Sequence, residues 1–260
     1  MYVDPFASAL CTDDARQVLD ASFPTNAEDD LFDDTATAVF DAQLLEAVEL
    51  VNMDLKQQTR QVVLLGCGLD TRPYRLPWPE GTVLFDVAPA DVHAVAAAAL
   101  KAAGAHVPRA CLLRRVVADF AVQPSFQNAL AAGGLRGDRL SVWALQGLPA
   151  LGVDREGMRG ILVEVAELAA SSSIVMGELP EMTRSQGEDM LAEAGMLGML
   201  SGRAPVSDVD PHSDRHKDGS HRRWLFLARC QQRSGAEREI YSSHVAAMEE
   251  AGEDFFGNYS

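Results

Sequence analysis

The chain has 260 residues, of which 47% are hydrophobic and 23% are charged, and its formal net charge is −16. This composition predicts one sizeable α/β domain. Its acidic surface should repel phosphate backbones and anionic membranes, so we do not expect general nucleic-acid binding. The four cysteines form no C-x-x-C pair, no apolar run reaches membrane length, and no signal peptide is visible. We therefore expect a soluble intracellular protein, cytoplasmic unless an organellar presequence has been trimmed.

The N-terminal part of the chain predicts helices. Asp4 precedes Pro5 and a helix-competent stretch, and this is a favourable helix start because Asp can cap it and Pro is tolerated in the first turn. The acidic run 28–34 is interpreted as a solvated helix entry rather than a metal site. Residues 35–50 carry apolar side chains at helical spacing and predict a helix that packs beside the next segment.

The stretch 61–87 organises the chain. Its apolar run 62–65 predicts a strand that is buried on both faces of a parallel sheet. Gly66 and Gly68 follow in a turn where the missing Cβ atoms allow a ligand to approach the backbone. From the glycines alone, an ordinary strand-to-helix turn is an equal alternative.

A second apolar run, 82–85, ends in Asp86. An acid at roughly this spacing, about 20 residues after a glycine turn, can meet a ribose hydroxyl. Thr71 occupies the position of the third glycine in the dinucleotide motif, which argues against a pyrophosphate-binding helix N-terminus. The pattern therefore favours a nucleoside ligand without pyrophosphate, such as S-adenosylmethionine.

The rest of the chain alternates helix-favouring and strand-favouring segments. This alternation predicts a Rossmann-like α/β fold in which helices flank a mostly parallel central sheet. Helices are expected at 91–104, near 130–137, at 154–170 and at 185–194, and strands at 111–117, 140–148, 172–177 and 223–230.

Two polar segments close the chain. The loop 205–221 holds three His and four Asp residues, but their spacing matches no recognised ligand set, so no metal site is predicted. Residues 231–260 are interpreted as an acidic extension of a domain that covers residues 1–230. The aromatic end of this extension is typical of a peptide that docks on a protein partner, and folding back on its own domain is an equal alternative.

The string VVLLGCGLDTRPYRLPWPEGT at 62–82 resembles the leucine carboxyl methyltransferase family, whose members carry a string like VVxLGAGLDTRxYRL. These S-adenosylmethionine-dependent enzymes include one that methylates the C-terminal carboxylate of a protein phosphatase, and bacterial O-methyltransferases of polyketide pathways. The resemblance extends over residues 4–230 and implies the class I methyltransferase fold. The implied cofactor residues are Gly66 and Gly68 at the methionine portion, Asp86 near the ribose, Asp119 and Phe120 at the adenine, and Gln146.

The chain departs from the family pattern at three polar positions. Ala36 stands where the family has an arginine that binds the cofactor carboxylate, and Ala88 stands in place of an aspartate that binds the ribose. Gln146 replaces a glutamate and keeps a hydrogen-bond acceptor without the charge. Each lost charge-assisted hydrogen bond costs on the order of 1.5–3 kcal/mol.

Two hypotheses about function follow from these departures. The first is an active enzyme that methylates a carboxylate or hydroxyl of a small molecule or a protein. The second is a catalytically degenerate fold that serves as a binding or scaffold subunit. A weaker third alternative is a pocket for another adenine nucleoside. The sequence identifies no catalytic residue.

Overall fold

The structure is a computed structural model that describes residues 4–22, 34–52, 60–66, 69–118, 126–202 and 222–231. Its helices are α1 (Ala7–Leu10), α2 (Asp13–Ser22), α3 (Asp34–Asn52), α4 (Arg72–Arg75), α5 (Ala90–Ala102), α6 (Gln127–Ala132), α7 (Arg155–Leu168) and α8 (Arg184–Glu193). Its strands are β1 (Arg60–Leu65), β2 (Thr82–Ala88), β3 (Leu112–Val117), β4 (Ser141–Leu145), β5 (Ile174–Met182), β6 (Met196–Gly202) and β7 (Arg222–Cys230).

These strands form one sheet in the order β3-β2-β1-β4-β5-β7-β6. The first five strands run parallel, and β7 is antiparallel to both of its neighbours. The chain order reverses between β1 and β4, where Leu65 at the end of β1 pairs with Leu145 at the end of β4. The topology confirms the predicted Rossmann-like class, and ligands of open α/β sheets generally bind outside the carboxyl ends of the strands at such a switch point.

The sheet is covered on both faces, which explains the apolar runs in its central strands. All five residues of β4 are buried. One face packs against α6, α7 and α8, and its largest fully buried side chains include Phe85 and Trp143. The other face packs against α3, which contributes Phe40 and Leu44.

The predicted helices are confirmed where local signals are strong. Apolar periodicity predicted a helix over residues 35–50, and helix α3 spans Asp34–Asn52. Asp154 caps α7 as expected, because its Oδ1 accepts a hydrogen bond of 2.8 Å from the backbone N–H of Gly157. The acidic run 28–34 lies almost entirely outside the described residues.

Strand β6 was not predicted. Its sequence, MLGMLSG, lacks the β-branched and aromatic residues that favour strands, and two of its seven residues are glycines. It forms because β7 offers an antiparallel partner for every residue from Met196 to Gly202. Tertiary pairing therefore overrides weak local preference here. The division of the chain into 1–230 and a C-terminal extension stays a prediction, since residues 232–260 lie outside the described part.

Candidate cofactor site

Gly66 and Gln146 meet at the switch point. Gly66 directly follows β1 and Gln146 directly follows β4. A Cβ atom at position 66 would lie 2.7 Å from the backbone oxygen of Gln146, closer than real contacts allow. The glycine is therefore needed so that the two strand ends can approach each other, in addition to any ligand contact. Gly68 lies outside the described residues.

Arg72 lies behind this meeting point and is 6% exposed. Its Nε donates to Asp41 Oδ1 at 2.6 Å, its Nη1 donates to Asp70 Oδ2 at 2.9 Å, and its Nη2 donates to Gln146 Oε1. The guanidinium carbon also lies 5.2 Å from the centre of the Phe40 ring, a cation–π distance. Arg72 thus connects helix α3, the loop after β1 and the end of β4.

The charge state of Arg72 is secure. Burial by itself lowers the pKa of the guanidinium, but the negative charges and hydrogen bonds of Asp70 and Asp41 outweigh burial and raise the pKa. The side chain is therefore a permanent cation, and Asp41 and Asp70 are its counter-ions.

Arg75 extends this network toward the N-terminus. Its Nη1 donates to Asp41 Oδ2 at 2.5 Å, and its Nε donates to Thr71 Oγ1 at 2.8 Å and lies 3.2 Å from Asp4 Oδ2. We name the five charged side chains the arginine cluster: Arg72, Arg75, Asp4, Asp41 and Asp70. Because both arginines are bound by acids of the chain, the cluster ties Asp70 and Thr71, which directly precede α4, to α3 and to the N-terminal segment.

Asp86 is 5% exposed and lies two residues before the end of β2. The expected strand end at Asp86 was therefore too early, because Val87 and Ala88 continue the parallel pairing with Val116 and Val117. Burial raises the pKa of the Asp86 carboxyl well above its usual value. The charge of Asp70 adds to this rise, and that of Arg115 opposes it.

His93 of α5 faces Asp86, and sequence reasoning gave it no role. Its Nε2 lies 3.1 Å from the backbone oxygen of Val116, and its Nδ1 lies 3.7 Å from Asp86 Oδ2. A carbonyl only accepts, so Nε2 carries a proton. Burial lowers the pKa of His93, so the ring is neutral and its Nδ1 is an acceptor. Nδ1 is buried and has no hydrogen-bond partner among the described residues. Because the raised pKa of Asp86 favours its protonated form, in which the carboxyl keeps one accepting oxygen, the pair is suited to a ligand hydroxyl, which can both donate and accept.

The described residues fit the chemistry of a nucleoside ligand. Asp86 and His93 Nδ1 supply acceptors for hydroxyls at β2, and Gln146 supplies a carboxamide at β4. The structure does not place Asp119 or Phe120, because both lie outside the described residues. Within the described ranges, no group of three or more His, Cys, Asp or Glu side chains is arranged to hold a metal ion. The loop 205–221 lies wholly outside those ranges.

The three departures now have positions in the fold. Ala36 lies in the first turn of α3. Ala88 is the last residue of β2, is fully buried, and packs with Val92 and Leu151 in an apolar cluster. The expectation that Gln146 keeps a spare acceptor for the ligand meets a competing contact, because its Oε1 already accepts from Arg72.

Residues 1–150 match the family model described as leucine carboxyl methyltransferase. The chain belongs to the leucine carboxyl methyltransferase family. A protein of Oryza sativa subsp. japonica named O-methyltransferase 1, chloroplastic, is 30% identical over 98% of this chain and 72% of its own length. A Mycolicibacterium gilvum relative, named as an S-adenosyl-L-methionine-dependent methyltransferase, is 29% identical over 80% of this chain and 71% of its own length.

Other relatives and solved structures are similar over various lengths. A Frankia alni relative, also named as an S-adenosyl-L-methionine-dependent methyltransferase, is 36% identical over 60% of this chain but only 48% of its own length, so the chain spans about half of that protein. The solved precorrin-6y C5,15-methyltransferase from Geobacter metallireducens has a TM-score of 0.45 at 14% identity, covering 81% of this chain and 96% of that chain. The CurJ carbon methyltransferase has a TM-score of 0.46 at 13% identity, covering 88% of this chain and 62% of that chain.

The predicted family is thus confirmed, and with it the methyltransferase class. The names of the Mycolicibacterium gilvum and Frankia alni relatives contain the expected cofactor, S-adenosylmethionine. In the described parts of the chain, no helix combines the length and apolar character that a membrane crossing requires.

Proposed function

We propose that this chain is an S-adenosylmethionine-dependent methyltransferase that methylates an oxygen of its acceptor, with a carboxylate as the preferred acceptor group. The observation that carries the proposal is the position of Gly66, Asp86 and Gln146. All three lie at or near the carboxyl ends of β1, β2 and β4, around the switch point of the sheet. The name of the rice relative, an O-methyltransferase, supports oxygen as the acceptor atom.

The polar groups divide the proposed site into two ends. Asp86 and His93 lie at the β2 end and supply acceptors for the ribose hydroxyls. Gln146 lies at the β4 end, beyond the glycine turn that follows β1. By the family resemblance, Asp119 and Phe120 would contact the adenine. When bound, S-adenosylmethionine supplies a methyl group already activated on a sulfonium, so the chain has mainly to bind and orient.

A carboxylate acceptor suits the described titratable groups. A hydroxyl acceptor needs a general base to take its proton, whereas a carboxylate is already ionised at neutral pH. The described carboxylates beside the glycine turn, Asp41 and Asp70, are both engaged in ion pairs with Arg72. The bound cofactor would supply its methyl group directly to the carboxylate oxygen, with the sulfur keeping the electron pair of its broken S–C bond, so the residues of this chain would need to move no proton.

One observation favours the alternative of a degenerate fold with a binding or scaffold role. Ala88 is fully buried among Val92 and Leu151, so the end of β2 is apolar where the resemblance leads one to expect an aspartate. The alternative and the enzyme hypothesis differ in whether the cofactor binds at all. The proposed location is intracellular, and the name of the rice relative adds the chloroplast as one specific compartment.

Calorimetric titration of the full chain with S-adenosylmethionine and S-adenosylhomocysteine tests the proposal. We expect a dissociation constant in the micromolar range, which corresponds to about −8 kcal/mol. Asp86→Ala should weaken binding at least about tenfold, since a hydroxyl left without its buried partner costs on the order of 1–3 kcal/mol. Asp138→Ala is the matched control, because Asp138 is exposed and lies before the amino end of β4.

Absence of binding at about 1 mM ligand would reject the enzyme and favour the binding module. If binding is observed, mass spectrometry of esters formed from carboxylate-bearing acceptors would follow. Methylation of hydroxyl compounds alone would show that the preference for a carboxylate is wrong.

A further inference from the structure

Strand β3 forms one outer edge of the sheet and exposes positive charge. It is the terminal strand in the sheet order, so one of its backbone edges faces no other described strand. Its sequence, LLRRVV, places the exposed Arg114 and Arg115 on opposite faces, and Arg115 Nη2 donates to Tyr74 Oη at 2.5 Å. Leu112 is 46% exposed and Val117 is 57% exposed. The edge therefore offers backbone hydrogen-bonding groups, cations and apolar surface together.

The segment around β3 is basic, although the chain as a whole is acidic. Residues 92–118 contain no Asp or Glu, whereas the whole chain has 38 acidic and 22 basic residues. Besides the two arginines of β3, this segment carries Lys101 and Arg109, both exposed. Glu80, in the loop before β2, acts electrostatically on Cys111. Even so, no ion pair joins a described carboxylate to any of the four cations.

The C-terminal end of the chain has the complementary pattern. Four acids lie within residues 249–254, and two phenylalanines follow directly at 255–256. The sequence E-D-F-F of residues 253–256 is thus an acidic pair followed by an aromatic pair. In β3 the arginine pair has an apolar pair on either side. Because successive side chains of a strand alternate between faces, an added strand with this sequence would bring one acid to an arginine on each face, and one aromatic ring to apolar surface on each face.

The C-terminal extension starts at the end of the sheet where β3 begins. Strand β7 is antiparallel to β5, so its last residue, Cys230, lies at the amino end of the parallel strands, as does Leu112. Five inter-strand steps separate β7 from β3 in the sheet order, which corresponds to about 24 Å. Residues 231–253 can span about 70 Å when extended. The same chain can therefore reach this edge, and the tether gives an effective concentration on the order of millimolar, at which weak surface contacts suffice.

We propose that residues 249–256 of this chain dock along the free edge of β3, with acids at Arg114 and Arg115 and aromatic rings on the apolar residues beside them. The docked segment adds to the sheet through backbone hydrogen bonds, and its side chains supply the charge that the edge lacks. It also covers an edge that would otherwise be open to pairing with other chains. Of the two interpretations of the extension, the charge of the edge thus favours folding back on its own domain. The inference does not depend on the cofactor.

Carbodiimide cross-linking of the full chain tests the contact, because this reagent joins a lysine amine to a carboxylate that touches it. Arg114→Lys keeps the charge of β3 and supplies an amine there. Arg229→Lys is the matched control, since Arg229 is exposed and lies on β7, which directly precedes the extension. After digestion and mass spectrometry, we expect cross-links from position 114 to residues 249–254 to be at least about threefold more frequent than those from position 229.

The control separates docking from mere proximity. A segment without a preferred contact would meet position 229 at least as often as position 114, and that result would overturn the inference. An equal mixture of ¹⁴N-labelled and ¹⁵N-labelled chains identifies the copy that supplies the segment. We expect cross-links within one label only. Cross-links that join the two labels would show docking on a second copy and would reject the proposal for the same chain.

Hydrogen exchange of the β3 amides gives a second measurement that needs no change in the folded domain. The double variant Glu253→Gln and Asp254→Asn removes the acidic pair. The control, Glu237→Gln and Glu239→Gln, removes the same number of charges from the start of the extension. We expect exchange of β3 to be at least about threefold faster in the first variant, because both charge pairs are lost, and unchanged in the control. Equal exchange rates in the two variants would contradict docking at this edge.

Discussion

Replacement of Arg72 by methionine tests whether the arginine cluster stabilises the fold. Methionine has a similar length and removes the charge and all the donors of the guanidinium. Asp41 would keep its contact of 2.5 Å with Arg75. Asp70 would lose its ion pair of 2.9 Å, and Gln146 Oε1 would lose its donor. The variant therefore leaves Asp70 without its ion pair, although Asp70 Oδ1 keeps the hydrogen bond of 2.8 Å from the backbone N–H of residue 72, and it leaves the amide oxygen of Gln146 without its donor.

The expected cost follows from burial. Removing one member of a buried ion pair typically costs about 3–5 kcal/mol, because the other charge stays behind unpaired. The side chains of Arg72 and Asp41 are 7% and 6% exposed, whereas Asp70, the carboxylate that loses its ion pair, is 17% exposed and is screened somewhat more by solvent. Since Arg75 continues to neutralise Asp41, we expect the lower end, about 3 kcal/mol, which for a chain of this size lowers the thermal midpoint by roughly 6–12 °C.

The assay is urea unfolding followed by circular dichroism, with thermal scans as a second measurement. Arg184→Met is the matched control, because Arg184 pairs with Glu188 four residues later at 64% and 51% exposure. Such an exposed helical pair contributes only about 0.3–0.5 kcal/mol. The loss of stability in Arg72→Lys should fall between those of the other two variants, because lysine keeps the positive charge but lacks the planar guanidinium that contacts three side chains. A loss in Arg72→Met no larger than in Arg184→Met would refute the reasoning.

Three further predictions concern the site and the thiols. Gly66→Ala should cost about 1–3 kcal/mol in urea unfolding and weaken cofactor binding, because its Cβ would lie 2.7 Å from the Gln146 oxygen; wild-type values would contradict this. Asp86 has a raised pKa in the native state, so the native chain holds more protons than the unfolded chain above pH 3.8, and stability falls as pH rises toward that raised value. Asp86→Asn should therefore gain stability relative to wild type as the pH rises above 3.8 toward that raised pKa, and parallel pH profiles would refute this. Exposed Cys11 should react quickly with a thiol reagent, whereas Cys230, whose pKa burial raises to about 12, should react only on unfolding; rapid labelling of Cys230 in the native chain would disprove it.

Local patterns in the sequence were sufficient for the fold class and the place of the glycine turn. The apolar run 62–65 and the glycine that follows are contiguous, so their meaning does not depend on distant residues. Strand β6 was not predicted, because its stability comes from pairing with β7, which lies about 20 residues further along the chain. Weak intrinsic strand preference carries no signal of such a partner.

The arginine cluster was beyond sequence reasoning for a related reason. The partners of Arg72 lie 31 residues away at Asp41 and 74 residues away at Gln146. The structure shows both arginines bound to acids of the chain itself.

Because alanines stand at two positions where the family has polar cofactor ligands, the order of the site before binding becomes more important. With alanines at positions 36 and 88, fewer charged groups can contact the ligand, so affinity depends on how little ordering the remaining groups must undergo. Arg72 meets this need because it binds both Asp70, which follows the glycine turn, and the carboxamide of Gln146. Arg72→Met should therefore lower stability and binding together. If Arg72→Met lost stability but kept wild-type affinity below its unfolding transition, the loop and the carboxamide would be ordered by other contacts, and the cluster would stabilise the fold without preparing the site.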